Sequence, residues 1–458
     1  MGRFDRWLPP GSFRARVIGN AGYVLGGDMM ILGTGMVFTI LAARVLGPAA
    51  YGLLQLSLTV VRFIDEFMDV RVEESVLRYV AGDLVRKDFP RAQAIVILGY
   101  LTDILLTAVS VTAIFLVAPW VARVFFHLEA GQEETATLLM RLYAGILILK
   151  MMNGTSKTLL RVHERFRLLG FYRSMKGVGD LLFAGIGLFW GVTGVVCGFL
   201  ASAAMTTILV QVFAWPLLRR LGPWRPAPLW PEVRRIGAFV FQTNLSGYLK
   251  SLNRHADMLI LGYFAPPEAA GYYRIAMSFS NLLGLFAAPL GYVVFPAMSR
   301  MHAMGDPAQL RRLIRRITGA MAVYSLPAGA LMALFAGPIL AFTVKADFLP
   351  ALPACYALLG AFVVANLTIW TRPASLAIGR PGVSTLGNGL QAAVMLVAAI
   401  ILVPRMQATG SAWAYFLGTL FANLLVVWMI QRALPLLGHA GAGPPPQAAE
   451  AEESRDGP

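Results

Sequence analysis

The sequence predicts an all-α polytopic membrane protein of about 12 transmembrane helices, in two parallel-repeat six-helix bundles around a central cavity. Three observations carry this. The 458 residues are 57% apolar and only 14% charged, which is not the balance of a soluble domain. Apolar runs of roughly 20 residues recur from end to end, each long enough to cross ~30 Å of hydrocarbon, whereas a β-barrel would show short alternating strands. Lysine and arginine, which outweigh the acids by a net charge of +15, fall in alternate loops. That pattern reads as membrane orientation, and no nucleic-acid partner is expected.

Residues 1–17 form a basic leader with Trp7 and Phe13, read as an interfacial anchor on membrane lipids. The first apolar run is too long for a signal peptide and lacks a convincing cleavage site, so it is expected to stay in the mature chain. Spans one to six are expected at about 18–46, 52–81, 92–118, 136–160, 177–191 and 194–216, forming an N-terminal bundle over 18–216. The Pro- and Arg-rich stretch 217–236 is the candidate cytoplasmic linker. Spans seven to twelve follow at about 237–263, 270–298, 318–343, 351–378, 382–403 and 409–431, forming a second bundle over 237–431. Residues 432–458 end in an acidic, Pro/Ala-rich tail expected to be disordered and cytoplasmic.

Loop charge tests this count. With both termini inside, the expected outer loops hold only Arg123, Lys345 and Arg405 as basic residues. The inner loops carry the rest, including the Arg311, Arg312, Arg315 and Arg316 cluster. Cys197 and Cys355 both lie in apolar segments and give neither a disulfide framework nor a metal spacing. No phosphate loop or other cofactor motif appears, so no cofactor or metal is expected and energy must come from a gradient or another chain.

An internal repeat is visible in Pro48-Ala49-Ala50-Tyr51-Gly52 and Pro267-Glu268-Ala269-Ala270-Gly271. Each follows the first span of a six-span half, so the two copies share one orientation and imply an axis along the membrane normal. A weaker echo pairs Lys157-Thr158 with Arg372-Pro373.

Charges inside the spans are the candidate functional residues, because each costs ~2.5–3.5 kcal/mol at bilayer centre on insertion scales and so faces protein or water. Lys250, Arg254 and Asp257 share one helical face of span seven, where Asp257 is expected either to hold Arg254 in place or to neutralise it partly while the cavity is empty, with a structural ion pair locking two helices as the alternative. Span two carries Arg62, Asp65, Glu66, Asp69 and Glu73 as a second stripe, whose equivalents in the second half, Gly284, Leu285 and Ala288, are apolar. Lys150 lies mid-span four with Lys157 and Arg161 following on the same face, and Arg372 lies at the inner part of span ten. Asp28 and Asp103 are isolated acids without a partner legible in sequence, and His255 reads as packing.

The segments ARVLGPAAYGLLQLSLTV (43–60), RHADMLILGYFAPPEAAGYYRIAMSFS (254–280), VVFPAMSRMHAMGDPAQLRRLIRR (293–316) and LAIGRPGVSTLGNGL (376–390) together resemble the polysaccharide-biosynthesis flippases. These are Wzx-type transporters of the multidrug/oligosaccharidyl-lipid/polysaccharide exporter superfamily. The resemblance implies a non-enzymatic flippase of the bacterial inner membrane that exports undecaprenyl-pyrophosphate-linked oligosaccharide for surface polysaccharide or lipopolysaccharide. It also implies partnership with a polysaccharide polymerase and a chain-length regulator. On that footing Lys250, Arg254 and Lys150 are candidate pyrophosphate ligands, since a diphosphate calls for fixed cations at reduced dielectric. Arg62, Asp65, Glu66, Asp69 and Asp257 are candidates for a cavity charge network coupled to H⁺ or Na⁺. Lys157 and Arg372 are candidates for the cytoplasmic mouth, with snorkelling to the interface as the alternative. The rival functions are an ion-coupled drug or cation exporter of the same superfamily and a membrane oligosaccharide polymerase. A cationic cargo fits poorly with Lys250 and Arg254, and the outer loops are short for an enzyme.

Overall fold

A computed structural model describes residues 13–68, 72–126, 128, 130–223, 227–285 and 287–440, and all regular structure among them is helical. Helix α1 (Phe13–Met68) is followed by α2 (Val72–Val85), α3 (Phe89–Trp120), α4 (Ala130–Lys150), α5 (Asn153–Val162), α6 (Phe166–Gly187) and α7 (Gly191–Arg219). Then come α8 (Leu229–Phe264), which begins within the 217–236 stretch, α9 (Pro267–Leu285), α10 (Ala288–Ala303), α11 (Pro307–Val344), α12 (Leu352–Leu367), α13 (Thr371–Ala377) and α14 (Pro381–Ala440).

Seven helical stretches among the described residues are long and apolar enough to cross a membrane. They do not map one for one onto the twelve expected spans, because three of them each take in all or part of two expected spans, joined at a kink or turn. The stretch Gly22–Met68 passes Gly47, where φ is 74°, a value that glycine adopts without steric penalty. Pro48 then starts the next turn, where its missing N–H is not needed. Pro381–Ala433 likewise passes Gln407 at φ 47°.

Four expected spans, two, four, eight and ten, are each divided between two helices instead, spans two and eight as α1/α2 and α9/α10. Span four stops at Lys150 and restarts at Asn153. The apolar run gives way there to Asn153, Gly154, Thr155 and Ser156, whose side chains compete locally for backbone groups. Span ten stops at Leu367 and restarts at Thr371 for the same compositional reason. The expected polar stripe of span two is also divided. Arg62, Asp65 and Glu66 lie on α1, Glu73 lies on α2, and Asp69 falls outside the described residues.

The chain packs as two compact units. The first runs through Ser278 and adds Gly337–Ala354 and Ala399–Ser411, and the second holds Phe279–Ala336, Cys355–Ala398 and the chain from Ala412 onward. Within the first unit α8 packs on α1, α2 and α3. The two Pro–Gly turns found in the sequence also lie against each other there. A Cβ on Gly52 would overlap the carbonyl of Pro267, and one on Gly271 would overlap the carbonyl of Pro48. Only glycine lets two backbones approach that closely. Tyr51 is fully buried beside this junction, edge-on to Phe348 at 6.4 Å.

Within the first unit, α6 packs along α1 and α7, and α4 against α3 and α7. Leu160, Leu169, Val210 and Leu217 bury one seam. Within the second, Met298, Leu310, Trp370, Ala374 and Ile430 form the buried core. Large apolar side chains such as Leu116, Phe189, Val323 and Phe342 are exposed, as expected of surfaces facing lipid rather than water.

Candidate functional site

The first unit encloses a polar pocket of about 490 Å³ between α1, α3, α4, α5 and α6. Its wall holds many charges, and most of them are matched. Arg173 of α6 donates to Asp28 of α1. Lys176 donates to Asp180 one turn on, and Ser202 of α7 donates to the other oxygen of Asp180 at 2.6 Å. Lys157 and Arg161 of α5 both face Glu73, at 3.4 and 3.5 Å. Asp103 of α3 accepts from the Thr155 backbone N–H and from its hydroxyl, each at 2.9 Å. That carboxylate caps the exposed start of α5, where free N–H groups and the helix dipole favour negative charge.

Lys150 is the exception. It ends α4, lines the pocket, and forms no ion pair among the described residues. Its electrostatic neighbours are Tyr143, Lys176, Asp180 and Arg62. An ammonium in this pocket without an ion-pair partner carries an uncompensated desolvation cost. Arg62 does not pair with the acids of its own helix. Its Nε faces the Tyr143 hydroxyl at 3.4 Å, with the guanidinium 5.8 Å from the ring centre. Asp65 lines the same pocket.

On α8, the expected pairing of Asp257 with Arg254 does not form. Asp257 is buried, accepts from the Tyr273 hydroxyl of α9 and takes the Met258 N–H at 2.7 Å, while Ser411 donates to its backbone carbonyl at 3.1 Å. Arg254 turns the other way and donates to Glu66 of α1 at 2.8 Å. The reason is competition: a long guanidinium reaches the neighbouring helix, while the short Asp257 is captured by the nearest hydroxyl. His255 is also more than packing, since its Nε2 lies 3.4 Å from the same oxygen of Glu66. Lys250 belongs to α8 by its backbone, and its side chain falls outside the described residues, as does Asp69. Arg372 is exposed on α13 in the second unit.

The break after Lys150 also undoes the expectation that Lys150, Lys157 and Arg161 share one continuous helical face. They still converge, because α5 restarts with its first residues in the pocket wall. Sequence reasoning missed Tyr143, Arg173, Lys176 as a pocket residue, Asp180 and Ser202. The i, i+4 spacing of Lys176 and Asp180 was an available signal. The partners of Asp28 and Asp103, by contrast, come from distant sequence. Among the described residues no three His, Cys, Asp or Glu side chains group as metal ligands.

Comparison with known proteins fits this architecture. The family model described as "Polysaccharide biosynthesis protein" matches residues 40–353, more than half the chain. The chain belongs to that family. It is 24% identical over 314 residues to the inner membrane protein YghQ of Escherichia coli K12, covering 67% of this chain and 85% of that protein. It is 21% identical over 321 residues to the lipopolysaccharide biosynthesis protein WzxC of the same organism, covering 69% and 61% respectively. Among solved structures, a multidrug resistance MATE family transporter of the MOP superfamily superposes with a TM-score of 0.77 at 13% identity, covering 90% of this chain and 96% of that one. The lipid II flippase MurJ in an inward closed conformation gives 0.71 at 13% identity, covering 91% and 89%. The chain is thus a multi-pass membrane protein of this family with the fold of the MOP superfamily transporters.

Proposed function

We propose that this protein flips undecaprenyl-pyrophosphate-linked oligosaccharide across the bacterial inner membrane by alternating access. The observation that carries the reading is Lys150, an unmatched cation in a polar pocket of a polysaccharide-biosynthesis family member. A diphosphate supplies the missing negative charge. Arg173, Lys176, Lys157 and Arg161 then exchange part of their pairing with Asp28, Asp180 and Glu73 for phosphate oxygens, so that binding replaces internal ion pairs rather than burying new charge. Arg254, whose side chain is 61% exposed, is a further ligand, and Lys250 another on sequence grounds. Lys157 and Arg372 serve the inner mouth, and Asp65, Glu66, Asp69 and Asp257 serve ion coupling with H⁺ or Na⁺.

Twelve crossings, two parallel repeats and cytoplasmic termini remain part of this proposal. It is supported by the alternation of loop charge, by the facing Pro–Gly turns, and by the interrupted fourth helix of each half. The oligosaccharide polymerase and chain-length regulator are the proposed partners. The test is surface glycan display in cells that depend on this protein. Variants Lys150→Ala and Lys150→Glu are expected to abolish display while the protein remains in the membrane. Normal display by Lys150→Glu overturns the anion site, and uptake of a cationic dye by vesicles in place of glycan export moves the protein to the drug-exporter reading.

A further inference from the structure

Glu66 presents one carboxylate oxygen, Oε1, to two neighbouring side chains of α8. Arg254 donates to it at 2.8 Å and His255 Nε2 lies 3.4 Å away. Exposure is graded across the three: the Arg254 side chain is 61% exposed, Glu66 34% and His255 9%. A permanent cation therefore stands at the open end and a titratable base at the closed end, with the carboxylate between them. The imidazole meets Phe63 edge-on at 6.3 Å, which gives it an apolar wall. Among the described residues, the charged and titratable groups around it are Glu66 from α1, Arg254 and Asp257 from its own helix, and Tyr273 and Arg274 beyond Asp257 on α9.

We infer that Glu66 and His255 form a proton-carrying pair that is loaded when an anionic group takes Arg254 away from Glu66. The inference rests on the proposed diphosphate cargo. A guanidinium shared between one carboxylate and a diphosphate favours the diphosphate, which offers more charge and a bidentate set of oxygens. Glu66 is then left half-buried without its cation. Taking up one proton restores neutrality, and His255, whose buried Nε2 has no hydrogen-bond partner among the described residues and lies 3.4 Å from Glu66, is the base placed to share it once the two close up. The proton belongs to the coupled pair rather than to either residue. Linkage fixes the sign: if the anion-bound state holds one more proton, anion affinity rises as pH falls, and the anion raises proton affinity by the same factor. Substrate and proton thus load together, through a joint between α1 and α8.

The test uses the full chain in nanodiscs, titrated with inorganic pyrophosphate between about pH 6 and 8, the range in which histidine changes charge. One coupled proton makes the affinity of the wild type rise about tenfold more per unit fall in pH than that of Glu66→Gln. Protonation of the ligand itself is common to both proteins and cancels. His255→Asn is expected to flatten the difference. Parallel pH dependences in the wild type and Glu66→Gln overturn the pair. Failure of the wild type to bind pyrophosphate at any pH overturns the diphosphate reading instead. The pair is then judged with Arg254→Gln standing for the loaded state. A protonated-carboxyl or imidazolium infrared band present in Arg254→Gln and lost in Arg254→Gln/Glu66→Gln sustains the pair, and the absence of both overturns it.

Discussion

Asn153 opens α5 in the first unit and Thr371 opens α13 in the second, each after a helix that stops within its expected span. In the first unit, Asn153 donates to Thr207 and Ser156 to Gln211, both at 2.9 Å, tying the interruption to α7. In the second, Thr368 donates to Asn423 of α14 at 2.9 Å, and Trp370 Nε1 donates to Thr318 of α11 at 2.9 Å. The two joints use the same device, a hydroxyl or amide bridge from the interruption to a long neighbouring helix. Their surroundings differ. Asp103, Glu73, Lys157 and Arg161 crowd the first, whereas Asn366, bonded to Ser325 and to the Leu283 carbonyl at 3.0 Å, completes the second without a formal charge. Neutral hydrogen bonds are therefore enough to hold a broken helix of this kind. The charges around the first interruption exceed what holding its geometry requires.

The largest effect that bears on this contrast is expected at Lys150. A charge-assisted hydrogen bond is worth about 1.5–3 kcal/mol, so Lys150→Ala should weaken pyrophosphate binding roughly 10- to 100-fold, with Lys150→Arg recovering most of it. Binding by Lys150→Ala at wild-type strength, measured by calorimetry, erases the functional difference between the units. Next comes Asp103→Ala, which strands the Thr155 N–H and hydroxyl. It is expected to lower stability by about 1–3 kcal/mol, read as a fall in unfolding temperature in detergent, with Asp103→Asn intermediate.

Smaller effects sharpen the other side of the contrast. Thr368→Val removes one neutral bridge and should cost about 1 kcal/mol of stability while glycan display stays normal. Loss of display without loss of protein would show that the second interruption also serves transport. Smallest is Tyr143→Phe, which keeps the ring under Arg62 and removes only the long 3.4 Å hydrogen bond. The expected change is about 0.5 kcal/mol or less in stability, with display unchanged.

Hydropathy and loop charge made the helical membrane class legible because both depend on composition alone. The repeat was legible because Pro48 and Gly52, like Pro267 and Gly271, meet backbone demands that few other residues meet. Parts of the site were legible too, since Lys150, Arg62, Asp65, Glu66 and Arg254 are costly in lipid and announce themselves. Their partners were not. Asp28 finds Arg173 across 145 positions, and Arg254 finds Glu66 across 188. Helical periodicity, which put Asp257 beside Arg254 and His255 off their face, ranks neighbours within one helix and is silent about the next.

Sequence by itself determined that this chain enters a membrane as helices, where its backbone turns, and which residue types carry charge at depth. Those outcomes follow from transfer free energies and local steric limits, which are properties of short stretches. Tertiary structure alone decided which charges cancel and which stay open. Pairing depends on how side chains from separate helices compete for one another at distances of about 3 Å, and no pattern along a single strand of sequence encodes that contest.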